Sequence, residues 1–196
     1  MRIGVDLDDV LVPFIDPFIS FWNSQYDTSF RRDDIHTYDL WKVCGVSQQK
    51  LIEQVYGFYD TSTFQNLSPY PMAQATVKKL YENRHDLSIV SARPQALSGH
   101  TRKWLAQYFP GNFSSVHLTE TYPLHNSSPP QKKIDIFKEL AVACVIEDSF
   151  PNAAEAGIRT LLYDQPWNKR EHCPRHMKRV YSWEDIETQL QNEACL

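Results

Sequence analysis

The pattern of apolar and polar residues divides the chain into short apolar runs separated by longer amphipathic segments. The runs are too short for buried helices and are bounded by polar or turn-forming residues, which favours strands. Strands that alternate with helices are joined by crossover connections and form parallel sheets. We therefore predict an α/β fold with a doubly wound parallel sheet, whose strands lie at 3–5, 87–91, 115–119, 143–146, 159–163 and 180–181.

The segments between these runs repeat apolar residues at intervals of three and four, as amphipathic helices do. Pro13 suits the first turn of a helix, Gly157 suits a helix end, and the stretch from Ser182 to Asp185 resembles a capping box. Pro94 is expected to open a further helix. Helices are predicted at about 13–26, 47–59, 94–109, 131–140 and 151–157, around 77–81 and at the end of the chain, with a loop rich in proline and serine at 122–130.

Residues 27–72 differ from the rest of the chain because they combine polar and aromatic residues and contain no convincing βαβ pattern. Two prolines within 68–71 would make a rigid connector at the end of this segment. Most of its aromatic side chains are expected to form a small core. We therefore predict a core formed by residues 1–14 and 73–196 and a small inserted helical cap formed by residues 15–72.

Acids and a hydroxyl occur where three of the predicted strands end. Asp6 and Asp8 follow the first strand, Ser91 ends the second run, and Glu147 and Asp148 follow the run at 143–146. The carboxyl ends of strands in an open α/β sheet share one edge, and ligands bind there. Carboxylates brought close together repel each other unless one is protonated or a cation lies between them. The sequence therefore predicts a ligand site at this edge.

Four motifs in this order resemble those of the haloacid dehalogenase (HAD) superfamily of phosphatases. Within the superfamily, the sequences Asp-Leu-Asp-Asp-Val, Ser-Ala-Arg-Pro and Ile-Glu-Asp-Ser are most similar to the bacterial 5′-nucleotidase and 5′(3′)-deoxyribonucleotidase group. The resemblance implies a Mg²⁺-dependent phosphoric monoester hydrolase whose substrate is a small phosphorylated molecule, with a nucleoside monophosphate expected. The matching positions are Asp6-Leu7-Asp8-Asp9-Val10, Ser91, Lys133 and Glu147-Asp148, which span most of the chain.

The resemblance also implies a role for each acid. Asp6 would be the nucleophile that forms an aspartyl-phosphate, and Asp8 would be the general acid and then the general base. Mg²⁺ would be held by the Asp6 carboxylate, the Asp8 backbone carbonyl and the Asp148 carboxylate. Glu147 stands where many relatives have aspartate, and its part in metal binding stays open. Asp9 has no catalytic role in this scheme, and we expect it to make a local hydrogen bond in the turn.

The phosphate group would be bound by Ser91 and Lys133. The Ser91 hydroxyl would hold one phosphate oxygen, and the backbone amides of Ala92 and Arg93 would add donors. Lys133 would neutralise charge shared between Asp6 and the phosphoryl group. Lys132 is the competing candidate, and its distance from the final acid pair fits the family less well.

An aromatic side chain of the predicted cap is expected to contact the base of a nucleotide, because flat apolar surfaces stack on bases. Trp41 is the candidate. It lies in a stretch without helical periodicity, so we expect it on a loop at the boundary between cap and core.

Composition narrows the classes of function further. The apolar content of 42% and charged content of 22% are ordinary for a soluble globular protein. A net charge of −4 gives no electrostatic reason to bind polymeric nucleic acid or an anionic membrane. No apolar run is long enough to span a bilayer, nothing resembles a signal peptide, and the four cysteines lack CxxC spacing. We expect a cytoplasmic protein, whose oligomeric state the sequence does not determine.

Three alternatives to a nucleotidase stay open. A receiver-like signalling domain also uses acids, a hydroxyl and a lysine, but it is phosphorylated on an aspartate after its third strand, and 115–120 contains none. A non-catalytic phosphate-binding module would not need both Asp6 and Asp8. Within the phosphatases, the substrate could instead be a sugar phosphate or another small phosphorylated metabolite.

Overall fold

The computed structural model of the chain describes residues 1–124 and 131–191. All paired strands of its six-stranded sheet run parallel, in the order β3-β2-β1-β4-β5-β6. This is the doubly wound order 3-2-1-4-5-6 and differs from the 2-1-3-4-5 order of receiver domains. The predicted fold class is therefore confirmed. The strands are β1 (Arg2–Val5), β2 (Asp86–Ser91), β3 (Ser115–Leu118), β4 (Cys144–Glu147), β5 (Arg159–Tyr163) and β6 (Met177–Val180).

Nine helices flank or precede these strands in the described part of the chain. They are α1 (Ile15–Tyr26), α2 (Leu40–Val43), α3 (Gln48–Tyr59), α4 (Ser62–Gln65), α5 (Ala73–Glu82), α6 (Ser98–Tyr108), α7 (Lys133–Glu139), α8 (Phe150–Ala156) and α9 (Trp183–Gln191), with 3₁₀ turns at Arg32–Asp34 and Gln95–Leu97. None of the described helices is long and apolar enough to cross a membrane.

Most predicted elements agree with these bounds, and two differ. Pro94 precedes a 3₁₀ turn, and α6 begins only at Ser98. The last strand was predicted at 180–181, whereas β6 runs from Met177 to Val180. Its two ends are buried but its middle is polar, so it does not show as an apolar run in the sequence. Residues 125–130 of the predicted loop lie outside the described residues.

The central strand β1 is covered on both faces, as parallel strands usually are. Ile3 and Val5 are buried in the main hydrophobic core. Gly4 points to the opposite face, where an added Cβ would lie 2.9 Å from the Phe137 ring of α7. Side chains alternate along a strand, so Asp6 is expected on the same side as Gly4. The absence of a side chain at Gly4 therefore lets α7 approach the strand that carries Asp6.

Residues 15–72 contain the helices α1 to α4 and no strand. Aromatic rings hold these helices together: Phe58 of α3 lies 5.7 Å from Phe18 of α1 and 5.7 Å from Phe64 of α4, measured between ring centroids. All three rings are buried. Most aromatic residues of this segment pack against one another, as the sequence analysis expected.

We predict that Gly4→Ala destabilises the protein by about 1–3 kcal/mol, the usual cost of overpacking a dense core. The new methyl group would force the Phe137 ring and α7 away from β1. Urea unfolding followed by circular dichroism measures the change. Gly99→Ala in α6 is the matched control, because nothing lies within 4 Å of its added Cβ. Equal stability of the two variants would contradict this account of how α7 packs.

Candidate active site

The acids predicted from the sequence meet where the chain reverses its direction of winding across the sheet. β1 lies between β2 and β4, so the switch point of the sheet falls between β1 and β4. Asp6 follows β1, Glu147 ends β4 and Asp148 comes next. Carboxylate oxygens of these three residues lie within 4.8 Å of one another, and all three are buried. The cluster therefore occupies the position where folds of this kind bind ligands.

A tight turn after β1 separates Asp6 from Asp8. The amides of Leu11 and Val12 donate to the Leu7 carbonyl at 2.9 and 3.1 Å, and the Leu7 side chain is buried. Asp6 and Asp8 both line the cavity above the sheet edge. The turn thus brings the two acids to one cavity while Leu7 faces the core, as the alternation of side chains predicts.

Asp9 has a structural position in the same turn. Its backbone takes a φ of 57°, and its carboxylate accepts hydrogen bonds from the amides of Phe14 and Ile15 at the start of α1. The Tyr70 hydroxyl donates to it at 3.2 Å, and an Arg32 nitrogen lies 3.5 Å away. The expected local hydrogen bond is confirmed, and the carboxylate also joins the turn to α1.

Lys133 is the lysine that reaches the acids. Its ammonium lies 2.9 Å from Asp6 Oδ2 and 2.8 Å from Glu147 Oε2, and its side chain is 5% exposed. Lys132 instead pairs at the surface with Glu155. Glu147 also accepts from the Ser149 amide through its other oxygen at 3.1 Å. Both oxygens of Glu147 are therefore engaged, and so are those of Asp6, whose Oδ1 accepts from the Leu7 amide at 2.8 Å.

The acids carry more negative charge than Lys133 neutralises. Burial, with repulsion from Glu147, raises the pKa of Asp6 to about 7 although the Lys133 ammonium lowers it. Burial and the charges of Glu147 and Asp6 raise the pKa of Asp148 well above its usual value. A divalent cation would stabilise both carboxylates in their charged forms.

The carboxylate oxygens of this cluster suit a hard cation such as Mg²⁺, which prefers oxygen ligands. Trp167 Nε1 donates to Asp148 Oδ2 at 2.8 Å, and the Asn168 side-chain amide donates to the Asp148 backbone carbonyl at 2.8 Å. These bonds fix the orientation of Asp148 and leave Oδ1 without a hydrogen bond among the described residues. The residues present therefore fit the metal that the sequence analysis expected.

The sequence analysis did not identify Trp167 and Asn168. They follow β5 at the same edge of the sheet as the acids. Their position shortly after an apolar run was the signal that could have identified them, since the carboxyl ends of all strands in such a sheet converge.

Three of the predicted phosphate-binding residues line the same cavity, whereas Lys133 is buried against Asp6 and does not line it. Ser91, Ala92 and Arg93 line it together with Asp6 and Asp8. The Arg93 amide donates to Ser91 Oγ at 3.3 Å, and the Arg93 guanidinium pairs with Asp8.

The cavity has a volume of about 190 Å³ and mostly apolar walls. Aromatic side chains from residues 15–72 and from the rest of the chain line it. They are Phe14, Tyr38, Trp41, Tyr56, Tyr59, Tyr122 and Trp167. Trp41 lines the cavity from the one-turn helix α2, so the expectation that it lies on a loop is wrong. A helix of four residues is too short to show periodicity in the sequence.

The chain matches a family model described as "5′ nucleotidase, deoxy (Pyrimidine), cytosolic type C protein" over residues 1–194. The chain belongs to this nucleotidase family. It is 26% identical over 191 residues to the 5′(3′)-deoxyribonucleotidase of Bacillus subtilis. The aligned region covers 96% of this chain and 97% of that protein.

Solved structures share the fold at low sequence identity. A HAD family hydrolase from Deinococcus radiodurans with bound phosphate and sodium has a TM-score of 0.64 at 15% identity, covering 100% of this chain and 96% of its own. D,D-heptose 1,7-bisphosphate phosphatase from B. bronchiseptica, complexed with magnesium and phosphate, has a TM-score of 0.57 at 14% identity, with 98% of each chain covered.

The family match and these relatives identify the chain as a phosphoric monoester hydrolase of the HAD superfamily. The resemblance found in the sequence is confirmed. Membership of a hydrolase family argues against the two alternatives of another class, a receiver-like signalling domain and a non-catalytic phosphate-binding module.

We predict that Lys133→Met lowers the free energy of unfolding by about 3–5 kcal/mol at neutral pH, because it leaves buried carboxylates without their cation. Lys132→Met is the matched control and should leave stability close to that of the wild type, since its salt bridge is exposed. Urea unfolding in metal-free buffer measures both variants. Similar stability of the two variants would show that Lys133 does not balance the acid cluster.

Proposed function

We propose that this protein is a Mg²⁺-dependent 5′-nucleotidase that hydrolyses (deoxy)nucleoside monophosphates through an aspartyl-phosphate on Asp6. The main support is the position of Asp6, which lines the cavity while its Oδ2 lies 2.9 Å from the Lys133 ammonium. Further support comes from the names of the matched family and of the relative from Bacillus subtilis.

In this proposal, residues 1–14 and 73–196 form the catalytic core and residues 15–72 form a cap over it. The cavity is lined from both sides: Asp6 and Ser91 belong to the proposed core, and Tyr38, Trp41 and Tyr59 belong to the proposed cap. This arrangement supports a role for the cap in substrate selection, because a molecule bound at Asp6 would extend toward these aromatic rings.

The first chemical step would transfer the phosphoryl group to Asp6. An Asp6 oxygen would form a bond to phosphorus while the bond from phosphorus to the leaving oxygen breaks. Asp8, protonated on one oxygen and keeping the Arg93 hydrogen bond on the other, would give its proton to the leaving alkoxide. The Ser91 hydroxyl and the Lys133 ammonium would hold phosphate oxygens and offset their charge.

The second step would release inorganic phosphate. Asp8, now a carboxylate, would take a proton from water as the water oxygen bonds to phosphorus and the bond to Asp6 breaks. Held by the carboxylates of Asp6 and Asp148 and the Asp8 backbone carbonyl, Mg²⁺ would supply positive charge that offsets the negative charge of the phosphoryl group. Magnesium in the related heptose bisphosphate phosphatase supports this choice of ion.

The proposal is tested by hydrolysis of a panel of phosphate esters by the purified protein. EDTA should abolish turnover and added Mg²⁺ should restore it. Asp6→Asn should abolish turnover without changing the circular dichroism spectrum, because the amide is isosteric but is a poor nucleophile and metal ligand. Asp86→Asn, an exposed position at the opposite end of β2, is the control and should keep full activity. Full turnover in EDTA or by Asp6→Asn would refute the mechanism.

Base recognition gives a separate prediction for Trp41. Trp41→Ala should lower kcat/KM for nucleoside monophosphates. The loss should correspond to a rise in activation free energy of about 1–3 kcal/mol, the range for the loss of one base–aromatic stack. Ribose 5-phosphate, which has the sugar without the base, should be affected little. Tyr181→Ala is a control because that ring is exposed and does not line the cavity. Equal losses for both substrates, or higher kcat/KM for sugar phosphates in the wild type, would favour a sugar-phosphate phosphatase.

A further inference from the structure

The Asp8 carboxylate is held by a single arginine. Arg93 Nε donates to Asp8 Oδ2 at 2.8 Å, and Arg93 Nη2 donates to Asp8 Oδ1 at 2.6 Å. Two parallel hydrogen bonds from the planar guanidinium fix both the direction and the plane of a carboxylate, which a lysine cannot do. Asp8 still lines the cavity, and its side chain is 23% exposed.

Arg93 is itself fixed by its surroundings. Its Nη1 donates to Thr101 Oγ1 at 3.3 Å, and its guanidinium carbon lies 4.9 Å from the centroid of the Phe64 ring. The Arg93 side chain is 3% exposed, and Thr101 is fully buried. All three guanidinium nitrogens are thus engaged by Asp8 or Thr101. The edge formed by Nε and Nη2 is therefore committed to Asp8, and one N–H on each of Nη1 and Nη2 lies outside these bonds.

We infer that Arg93 is a positioning residue: its side chain acts on catalysis through the Asp8 carboxylate, which it holds beside the leaving group. This inference rests on the proposed function, in which Asp8 is the general acid and base. A short aspartate side chain at the cavity wall can rotate, and a misplacement of about 1 Å can reduce catalysis by about 10²-fold. Phe64 belongs to α4, so this arrangement also depends on the helical segment that we propose as the cap.

Arg93 could act through Asp8 or bind the phosphoryl group, and two phosphate esters whose leaving groups differ in acidity distinguish these roles. A nucleoside leaves as a poor alkoxide and needs the proton of Asp8, whereas p-nitrophenolate is stable without it. The value of kcat/KM reports the steps up to departure of the leaving group. An arginine that acts through Asp8 therefore matters mainly for the alkyl ester, and an arginine that binds the phosphoryl group matters equally for both esters.

The first experiment compares kcat/KM of wild type and Arg93→Gln for a nucleoside 5′-monophosphate and for p-nitrophenyl phosphate, both with Mg²⁺. We expect a loss of about 10²-fold or more for the nucleotide, the scale of general acid catalysis, and a much smaller loss for the aryl ester. Inhibition by inorganic phosphate should keep the wild-type constant. Arg102→Gln, at an exposed position in α6, is the matched control and should behave as the wild type.

Equal losses for the two esters, with weaker inhibition by phosphate, would overturn the inference and assign Arg93 to phosphate binding. That result would leave the proposed function intact, because it requires a wild type that hydrolyses both esters. A wild type that hydrolyses neither ester would instead refute the proposed function.

A double-mutant cycle with Asp8→Asn provides the second experiment and covers the case in which Arg93→Gln folds poorly. The Asp8→Asn/Arg93→Gln variant leaves no unpaired charge at this position. If Arg93 acts through Asp8, adding Arg93→Gln to Asp8→Asn should cause no further loss of kcat/KM for the nucleotide. A further loss as large as that in the wild-type background would overturn the inference.

Discussion

The buried pairing of the Lys133 ammonium with the carboxylates of Asp6 and Glu147 is the interaction on which the site depends. Charges of this kind are costly to bury unless they are paired, and removal of one partner leaves the others uncompensated. The pairing requires β1, β4 and the start of α7 to meet, which Gly4 permits by leaving room for Phe137. The sheet thus places the proposed nucleophile, an ammonium and a candidate metal ligand together at its switch point.

The three acids that follow β1 each meet a different cation, and the partners separate their roles. Asp6 pairs with Lys133 at the start of α7, and Asp8 pairs with Arg93 in the loop after β2. Asp9 pairs with Arg32. Neighbouring acids in the sequence therefore have different partners, which fits the proposed roles of nucleophile for Asp6 and proton-transfer group for Asp8 and a structural role for Asp9. All three acids line the cavity, but the Asp9 carboxylate is occupied by the backbone amides at the start of α1.

Arg32 also connects the helical segment to the acid cluster. Its guanidinium carbon lies 5.3 Å from the centre of the Trp167 ring, and Trp167 donates to Asp148. Arg32 and Phe64 thus bring contacts from residues 15–72 to Asp148 through Trp167 and to Asp8 through Arg93. The position of residues 15–72 and the orientation of Asp8 and Asp148 are physically linked through these contacts.

The sequence by itself determined the elements and the edge of the sheet that carries the site. Apolar runs with acids at their ends predict parallel strands whose carboxyl ends converge, and this local pattern was enough to locate Asp6 and Asp148. The distance to the final acid pair that is usual in the resembled family favoured Lys133 over Lys132. Only the tertiary structure decided which side chains pair: Arg93 contacts an acid 85 residues earlier in the chain, and Trp167 contacts Asp148. Periodicity reports the local conformation of the chain, whereas such pairings depend on how distant segments pack, and no local pattern contains that information.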